Sequence, residues 1–371
     1  MSEMRFEISD FDVYTWNDSY GNDSYGNDEI PTFPEATYCP EVEETPHYFR
    51  KIIVPIIYFL VFLLGTIGNS LVLAILLRYK GSRSPTDSYL LHLAVADLLL
   101  VLVLPFFALE SIFKWFFGIF LCKFLGSIHK LNFFCNSLLL ACISIDRYLA
   151  IVYAVQIHKR HSAKYAHLVC SAIWVTGFLL QIPNLIFLQV EANDYDNETK
   201  CVYTSAMAHD WLLFEQFLYH GIGFALPLAV MCYCYAMVIK TLYKTQTFGR
   251  HKAIKVVLTV TVMFCICWAP YNVAKFIKTL CKLQVITADC DSYRKLTFTI
   301  VVSESTGFIH SCLNPVLYVF IGVKFRDSIL KLFRDLHCIS QATLDNFLHQ
   351  KIGERNRSSS VFENTTSWSN I

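Results

Sequence analysis

The sequence predicts an all-α membrane protein, a bundle of seven transmembrane helices followed by an amphipathic eighth helix on the inner membrane face. Of the 371 residues, 54% are hydrophobic and only 16% are charged, whereas soluble domains carry about 25% charged residues. Seven separate stretches supply the roughly 20 apolar residues that a spanning helix needs. Unpaired backbone groups are too costly in lipid for such stretches to be anything but helical.

The seven stretches are separated by polar, glycine-bearing or charged segments. In chain order they are Ile52–Leu77, Tyr89–Leu109, Ile119–Tyr153, Ala166–Leu188, Leu212–Ile239, Ala253–Leu280 and Leu296–Ile321. The third is the longest, which predicts a tilted helix that extends past both membrane faces.

The charges between the stretches predict the orientation. Basic residues follow the first, third and fifth stretches, whereas the segment after the fourth is acidic. The positive-inside rule therefore puts the N-terminus outside the cell and the C-terminus in the cytoplasm. Three sequons that fall on the predicted outer side are expected glycosylation sites: Asn17, Asn22 and Asn197.

Residues 1–50 are predicted to be an acidic extracellular tail. Up to Phe49 the tail holds twelve acids and one base, without the basic and apolar regions of a secretory signal. We expect the tail to be retained and to steer a basic partner, although an acidic solvated tail without a function is the alternative. Three tyrosines lie among the acids, a setting that favours sulfation: Tyr14, Tyr20 and Tyr25.

Beyond the helical domain at 51–322, the sequence predicts two further segments. Residues 323–338 form an amphipathic helix with Phe325, Ile329 and Leu332 on its apolar face, which suits the inner membrane surface. Cys338 is a palmitoylation candidate, with a buried free thiol as the alternative. Residues 339–371 are a polar Ser/Thr-rich tail.

The third stretch carries an Asp-Arg-Tyr run, Asp146, Arg147 and Tyr148, close to its end. Cys122 precedes the aspartate by 24 residues, about 36 Å of helix and therefore one membrane crossing. This spacing puts Cys122 at the outer face and Arg147 at the inner face. A functional switch and a simple anchoring ion pair both fit the run.

A carboxylate lies deep in the second stretch. Asp97 is about 12 Å from the inner end of its helix, where a charge must be hydrated, protonated or ion-bound. Candidate polar neighbours are Asn69, Asn132, Asn136 and Asn314. A structural water network and an allosteric sodium ion are equally compatible with these residues; no other cofactor or metal is expected.

Two later stretches contain prolines within conspicuous motifs. Trp268 precedes Pro270 by two residues, and Asn314-Pro315 is followed by Tyr318. Proline removes a helical hydrogen bond and kinks the helix, so each motif predicts a point about which the inner half can move.

These residues resemble the rhodopsin-like G-protein-coupled receptor family from Lys51 to about Cys338. One landmark stands in each helix: Asn69, Asp97, Arg147, Trp174, Pro227, Pro270 and Pro315. The resemblance implies that Arg147 faces the G protein and that Trp268 is a switch beside the hinge. It further implies that Tyr235 and Tyr318 line the active inner cavity, and that Cys122 is disulfide-bonded to Cys201.

More specific runs resemble the CXC chemokine receptors. They are Asp146–Val152 (DRYLAIV), His310–Pro315 (HSCLNP), Trp115–Gly118 (WFFG) and Leu104–Phe106 (LPF). The chain departs from the family at Tyr153-Ala154, where His-Ala is common. The family also carries a second outer disulfide, for which Cys39 and Cys290 occupy the expected places, although Cys281 is an alternative partner for Cys39.

The resemblance implies a plasma-membrane receptor whose ligand is a basic CXC chemokine. The ligand would meet Glu304, Trp115, Tyr271 and Glu110, and the receptor would couple to an inhibitory-class G protein, to receptor kinases and to arrestin. A scavenging receptor that binds chemokine without activating a G protein is the alternative, although scavengers usually have an altered Asp-Arg-Tyr run.

Other classes of protein are disfavoured by the sequence. A transporter would show repeats or several midplane carboxylates, and a retinal photoreceptor needs a lysine that Leu296–Ile321 lacks. No nucleophile–base pairing or metal-ligand cluster predicts an enzyme, and no basic patch predicts nucleic-acid binding.

Overall fold

The computed structural model describes residues 46, 48–79, 85–113, 115–153, 163–193, 198–203, 206–245, 251–321, 323–335 and 341. Several predicted sites lie outside the described residues: Tyr14, Tyr20, Tyr25, Cys39, Asn17, Asn22, Asn197, Cys338 and the tail from 342 onward. The side chain of Tyr318 is also outside the described part.

Eight helices follow one another along the described chain. They are α1 (Val54–Arg78, preceded by a π-helical turn at Phe49–Ile53), α2 (Pro85–Ile112), α3 (Gly118–Val152), α4 (Ala163–Phe187), α5 (Ala206–Leu218, a π-helical segment Tyr219–Ala225, and Leu226–Thr245), α6 (His251–Lys282), α7 (Cys290–Ile321) and α8 (Val323–Asp335). Each predicted apolar stretch lies almost wholly within one of the first seven helices, and the predicted amphipathic segment coincides with α8, so the helical bundle is confirmed.

Six of these helices are long and apolar enough to cross a membrane by length and composition. Their spans are Phe49–Arg78, Pro85–Ile112, Gly118–Val152, Lys164–Phe187, Trp211–Thr241 and Leu258–Lys282. The seventh helix, α7, is more polar because Ser303–Thr306 and His310 interrupt its apolar sequence. Most of these polar side chains are buried in the bundle, namely Ser303, Glu304, Ser305 and His310, whereas Thr306 is exposed.

A two-stranded hairpin between α4 and α5 was not predicted. Strand β1 (Leu188–Asn193) pairs antiparallel with β2 (Glu198–Tyr203), with Val190 opposite Cys201. A lone hairpin is marginally stable in water. This one is fixed to α3 by the disulfide between Cys122 and Cys201.

The helices pack on a shared interior and expose their remaining apolar surface. Trp268, Phe133 and Phe264 are among the largest fully buried side chains, whereas large side chains such as Leu64 and Ile67 point outward. Outward apolar side chains are expected of a bundle whose solvent is lipid.

Small residues let the helices approach closely. A Cβ atom on Gly65 would lie 2.6 Å from Val101 Cγ1, so α1 and α2 are in contact at the glycine itself. Close approach at small residues is the usual basis of helix packing in membranes.

Helix α8 docks on the end of α1. Ile329 and Leu332 are buried against Ile75, while Lys331 is exposed. The Asp335 carboxylate accepts hydrogen bonds from Arg78 and from the Tyr79 hydroxyl, at 3.2 and 3.1 Å. Apolar and charged contacts thus both hold α8 against the end of α1.

Candidate functional site

The two ends of the bundle carry different groups of side chains. The Cys122 end holds the hairpin and the start of α3, and the Arg147 end holds the end of α3 and α8. Candidate functional residues occur at both ends, and a column of polar and aromatic side chains lies between them.

A cleft enters the bundle at the Cys122 end, between α1, α2, α3 and α7. Its lining includes Arg50, Tyr58, Glu110, His129, Glu304 and Phe308. The two carboxylates predicted to meet a ligand, Glu110 and Glu304, therefore line one cleft. Clefts lined mainly by apolar side chains with a few convergent polar groups are the usual form of ligand sites.

Glu304 lies at the inner part of this cleft. It is buried, and its Oε1 atom is 3.7 Å from Nε2 of His129 on α3. The His129 ring also packs edge-on against Phe308 and stacks on Trp268, with centroid distances of 5.2 and 6.3 Å. His129 thus connects a cleft carboxylate with the tryptophan beneath it.

Two other predicted ligand residues have different surroundings. Trp115 is 4% exposed and donates from Nε1 to the Gly118 carbonyl at 3.3 Å. Its own carbonyl accepts a hydrogen bond from the Thr199 hydroxyl on β2. Trp115 therefore packs under the hairpin and does not line the cleft. Tyr271 is buried against Trp268 and Tyr219, outside the cleft lining.

Trp268 is fully buried at the centre of the bundle, two residues before Pro270 in α6. Its Nε1 atom donates to Nδ1 of His310 on α7 at 3.0 Å. Gly307 on α7 permits this contact, because a Cβ there would lie 3.1 Å from the indole ring. The tryptophan next to the α6 proline is consequently tied to α7.

Asp97 lies below Trp268, fully buried. Its two oxygens accept hydrogen bonds from the side-chain amides of Asn136 and Asn314, at 2.8 and 2.9 Å. His310 Nε2 is 3.8 Å from the same carboxylate. Amide nitrogens, rather than the oxygens that a hard cation prefers, face the carboxylate, so sodium binding stays a prediction.

The other two asparagines predicted near Asp97 do not contact it. Asn132 donates to the Ala96 carbonyl at 2.8 Å, and its Oδ1 accepts a hydrogen bond from Asn136. Asn69 donates to the carbonyls of Gly65 and Ser311. Asn132 is therefore connected to Asp97 only through Asn136, whereas Asn69 joins α1 to α7.

Two histidines that lie beside candidate site residues were not singled out from the sequence. His310 was noted only as the first residue of a family-like run. In the structure, His129 and His310 both contact Trp268, and they lie next to Glu304 and Asp97 respectively. The available signal was that each is an ionisable residue within a spanning helix, which is costly and usually functional.

At the Arg147 end, the Asp-Arg-Tyr run forms a compact polar cluster. Arg147 pairs with Asp146 at 2.7 Å, and both hydrogen bond with the Thr86 hydroxyl on α2. The Tyr148 ring turns away and packs edge-on against Tyr153 and Tyr233. The arginine is therefore held by α2 and by its own neighbour.

Tyr235 on α5 joins two other helices close to Arg147. Its hydroxyl accepts a hydrogen bond from Ser144 on α3 at 3.1 Å and lies 3.2 Å from Thr261 Oγ1 on α6. All three side chains are buried. This bridge ties the Arg147 half of α6 to α3 and α5, on the far side of Pro270 from the cleft.

The cysteines at the Cys122 end fall into two groups. Cys122 is bonded to Cys201, as the resemblance implied, and Cys290 is also disulfide-bonded. Cys281 carries a free, buried thiol. The alternative in which Cys281 replaces Cys290 in the second disulfide is therefore wrong.

Comparisons with known proteins agree with this architecture. The model of the 7 transmembrane receptor (rhodopsin family) matches residues 68–318. C-X-C chemokine receptor type 5 of Rattus norvegicus is 43% identical over 91% of both chains, and its Homo sapiens counterpart is 44% identical over 80% of this chain and 81% of its own. C-X-C chemokine receptor type 3 of Bos taurus is 37% identical over 99% of this chain and 97% of its own.

The chain belongs to the rhodopsin family of seven-transmembrane, G-protein-coupled receptors, and its bundle of spanning helices with an acidic cleft and an Asp-Arg-Tyr cluster agrees with that class. Within that family it is a CXC chemokine receptor, similar to the type 5 receptors, and not an enzyme. Short runs indicate the same similarity, among them His129–Phe133 (HKLNF) and Phe217–His220 (FLYH). The chain is thus a multi-pass protein of the plasma membrane that binds chemokines and couples to G proteins.

Proposed function

We propose that the Cys122 end faces the outside of the cell and that a basic CXC chemokine engages it in two steps. The acidic tail, with its tyrosines sulfated at 14, 20 and 25, holds the folded body of the chemokine electrostatically. The disulfide between Cys39 and Cys290 curves that tail toward the cleft. Charge complementarity of this kind speeds encounter more than it adds affinity.

In the second step the flexible amino terminus of the chemokine enters the cleft. The observation that carries this proposal is the location of Glu304, which lies in the cleft and 3.7 Å from His129, directly above Trp268. One ammonium group on the ligand would pair with Glu304, and a second would pair with Glu110, higher in the cleft. Binding would thereby change the surroundings of the tryptophan.

Occupancy favours a state in which the inner half of α6 moves outward about Pro270. In the resting arrangement, Tyr235 holds α6 through Thr261, and Arg147 is paired with Asp146. Release of both contacts would free Arg147 and Tyr235 for the G protein, with Asn314, Pro315 and Tyr318 rearranging in α7. A ligand drives such a change only through its differential affinity for the two states.

The G protein is of the inhibitory class, and the receptor directs leukocyte chemotaxis, in B cells in particular. Receptor kinases phosphorylate the Ser/Thr-rich tail, and the dense negative charge so created recruits arrestin. The intact Asp-Arg-Tyr run supports signalling rather than scavenging, because scavenging receptors usually have an altered run.

The test is G-protein activation in cells that express the chain, against a panel of CXC chemokines, with Arg147→Ala as the control. A response to one chemokine that is lost in the variant while binding persists supports the proposal. Chemokine binding without activation of any G protein would favour a scavenging receptor instead. If Glu304→Gln bound and signalled like the wild type, the cleft step would be wrong.

A further inference from the structure

A second buried polar cluster lies away from the cleft and joins the hairpin to three helices. Lys130 on α3 contacts Glu215 on α5, with Nζ 2.6 Å from Oε2, and its Nζ is 3.3 Å from the hydroxyl of Tyr203 on β2. The side chains of the charged pair are only 15% and 7% exposed. Although Lys130 is adjacent to the cleft residue His129 in sequence, it contacts α5 and β2 and is not part of the cleft lining.

The fourth element of this cluster is α4. Asn184 donates to Glu215 Oε1 at 3.3 Å and to Gln181 Oε1 at 2.7 Å. Its own Oδ1 accepts a hydrogen bond from the Tyr203 hydroxyl. Buried ions are tolerated when they are paired and hydrogen-bonded in this way, and the low local dielectric makes such networks rigid.

The cluster lies directly above the aromatic side chains that surround Trp268. Tyr219 opens the π-helical segment of α5 one helical turn after Glu215, and it stacks on Phe133 with centroids 4.1 Å apart. Phe133 lies one turn after Lys130 and meets Trp268 edge-on at 4.9 Å. The charged pair and the aromatic pair therefore connect the same two helices, one turn apart.

The described hairpin is attached to the bundle at several points. Its β2 strand is bonded to α3 through Cys201, to the segment before α3 through Thr199, and to the cluster through Tyr203. Its β1 strand exposes Glu191 on the outside. Glu191 lies directly opposite Lys200 on β2, and it is the exposed acid of β1 that a basic ligand body would contact.

We propose that Lys130 and Glu215 are positioning residues that couple the hairpin to α5. Through them, a ligand that displaces the hairpin would move Trp268 by a second route, independent of Glu304. The inference rests on the proposed function, in which the hairpin faces the bound chemokine. Displacement of the hairpin by the chemokine body shifts Tyr203, the charged pair moves α5 relative to α3, and the Tyr219–Phe133 stack passes the shift to Trp268.

A double variant at Lys130 and Glu215 can separate an effect on signalling from an effect on folding. Removal of one partner leaves an uncompensated buried charge, whereas replacement of both by apolar residues is often tolerated. Lys130→Met and Glu215→Leu alone should therefore reduce surface expression, and the double variant should restore it. Tyr203→Phe removes the hydroxyl contacts of the hairpin with Lys130 and Asn184 and leaves the charged pair intact. It is the second test, with the exposed Tyr48→Phe as its matched control.

The measurement uses the panel chemokine that activates the wild-type receptor, with affinity and G-protein activation determined per surface receptor. We expect the double variant and Tyr203→Phe to bind it with wild-type affinity within about threefold, while activation potency falls at least about fivefold, the lower range of allosteric coupling. Tyr48→Phe should match the wild type.

Two outcomes would overturn the inference while the proposed function stands. One is a double variant that signals like the wild type at equal surface expression, which would make the pair structural only. The other is a Tyr203→Phe variant indistinguishable from Tyr48→Phe. If no panel chemokine binds even the wild type, the proposed function fails first and the inference falls with it.

Discussion

The indole nitrogen of Trp268 donates a hydrogen bond to Nδ1 of His310 at 3.0 Å, and this contact joins α6 to α7 at the centre of the bundle. His310 in turn lies 3.8 Å from Asp97. Trp268 on α6 and His310 on α7 thus link the cleft above them to the Asp97 carboxylate below. A movement of α6 about Pro270 must break or rearrange this contact, which makes it a sensitive place for substitutions.

A methyl group at Gly307 should disturb this centre. In Gly307→Ala the new Cβ would lie 3.1 Å from the buried indole, so Trp268 must move by a few tenths of an ångström. We expect agonist potency to change by about fivefold, which corresponds to roughly 1 kcal/mol, at unchanged surface expression. The measurement is a dose–response of G-protein activation. Gly221→Ala, where nothing lies within 4 Å, is the control and should leave potency unaltered.

Loss of the Thr261 hydroxyl should raise basal signalling. Thr261→Val removes a hydrogen bond that holds α6 to Tyr235, and one such bond contributes about 1 kcal/mol. The resting state would lose about 1 kcal/mol of stability relative to the active state. The ratio of active to resting receptor should therefore rise about fivefold. Ligand-free G-protein activation measures it. Thr306→Val, an exposed threonine bonded to its own helix, is the control; an equal rise there would contradict the bridge.

The docking of α8 should depend on pH. The hydrogen bond from Arg334 holds the pKa of Asp335 below its ordinary value, and the bonds from Tyr79 and Arg78 act in the same direction. The Arg334 bond lies within α8, whereas the bonds from Arg78 and Tyr79 join α8 to the end of α1. Because these two bonds lower the pKa only when α8 is docked, the carboxylate stabilises docking above the ordinary pKa of about 3.9. This contribution is lost as the pH falls through the lowered value.

The distance between probes on non-natural amino acids at the exposed positions 77 and 331 should therefore lengthen only in strong acid. Asp335→Asn should lengthen it at neutral pH and abolish the pH response. Asp291→Asn, which removes the carboxylate of an exposed pair at the other end of the bundle, should do neither.

Thiol labelling should separate the two cysteines at the Cys122 end. Cys281 is a free thiol and Cys290 is disulfide-bonded, so alkylation after unfolding without a reductant should modify Cys281 and spare Cys290. Peptide mass analysis before and after reduction measures both. Modification of Cys290 in the unreduced sample would restore Cys281 as the disulfide partner.

The seven apolar stretches and the amphipathic segment predicted the helices to within a few residues at most ends. The predicted stretch Ile52–Leu77, for example, corresponds to the helix Val54–Arg78, and the predicted stretch Leu296–Ile321 ends at the same residue as α7. Such agreement is expected, because lipid leaves a long apolar segment no alternative to helix. The hairpin escaped prediction because its short strands alternate weakly and are stabilised by Cys122, a residue far away in the chain.

The candidate site was predicted in its composition and only partly in its contacts. Glu110 and Glu304 do share a cleft, whereas Trp115 lies beneath the hairpin. The carboxylate at Asp97 was expected among asparagines, yet its nearest ionisable neighbour is His310. Periodicity and motifs show which side chains are inside the bundle, but not which of them meet.

The sequence by itself therefore determined the helices and the family: apolar length, segregated charge and the Asp-Arg-Tyr, Pro270 and Pro315 motifs are local properties of the chain. Only the tertiary structure decided that His129 links Glu304 to Trp268 and that Lys130 pairs with Glu215, 85 residues away. The physical reason is that a buried charge needs a partner but does not specify which one. The rotation and close packing of neighbouring helices make that choice.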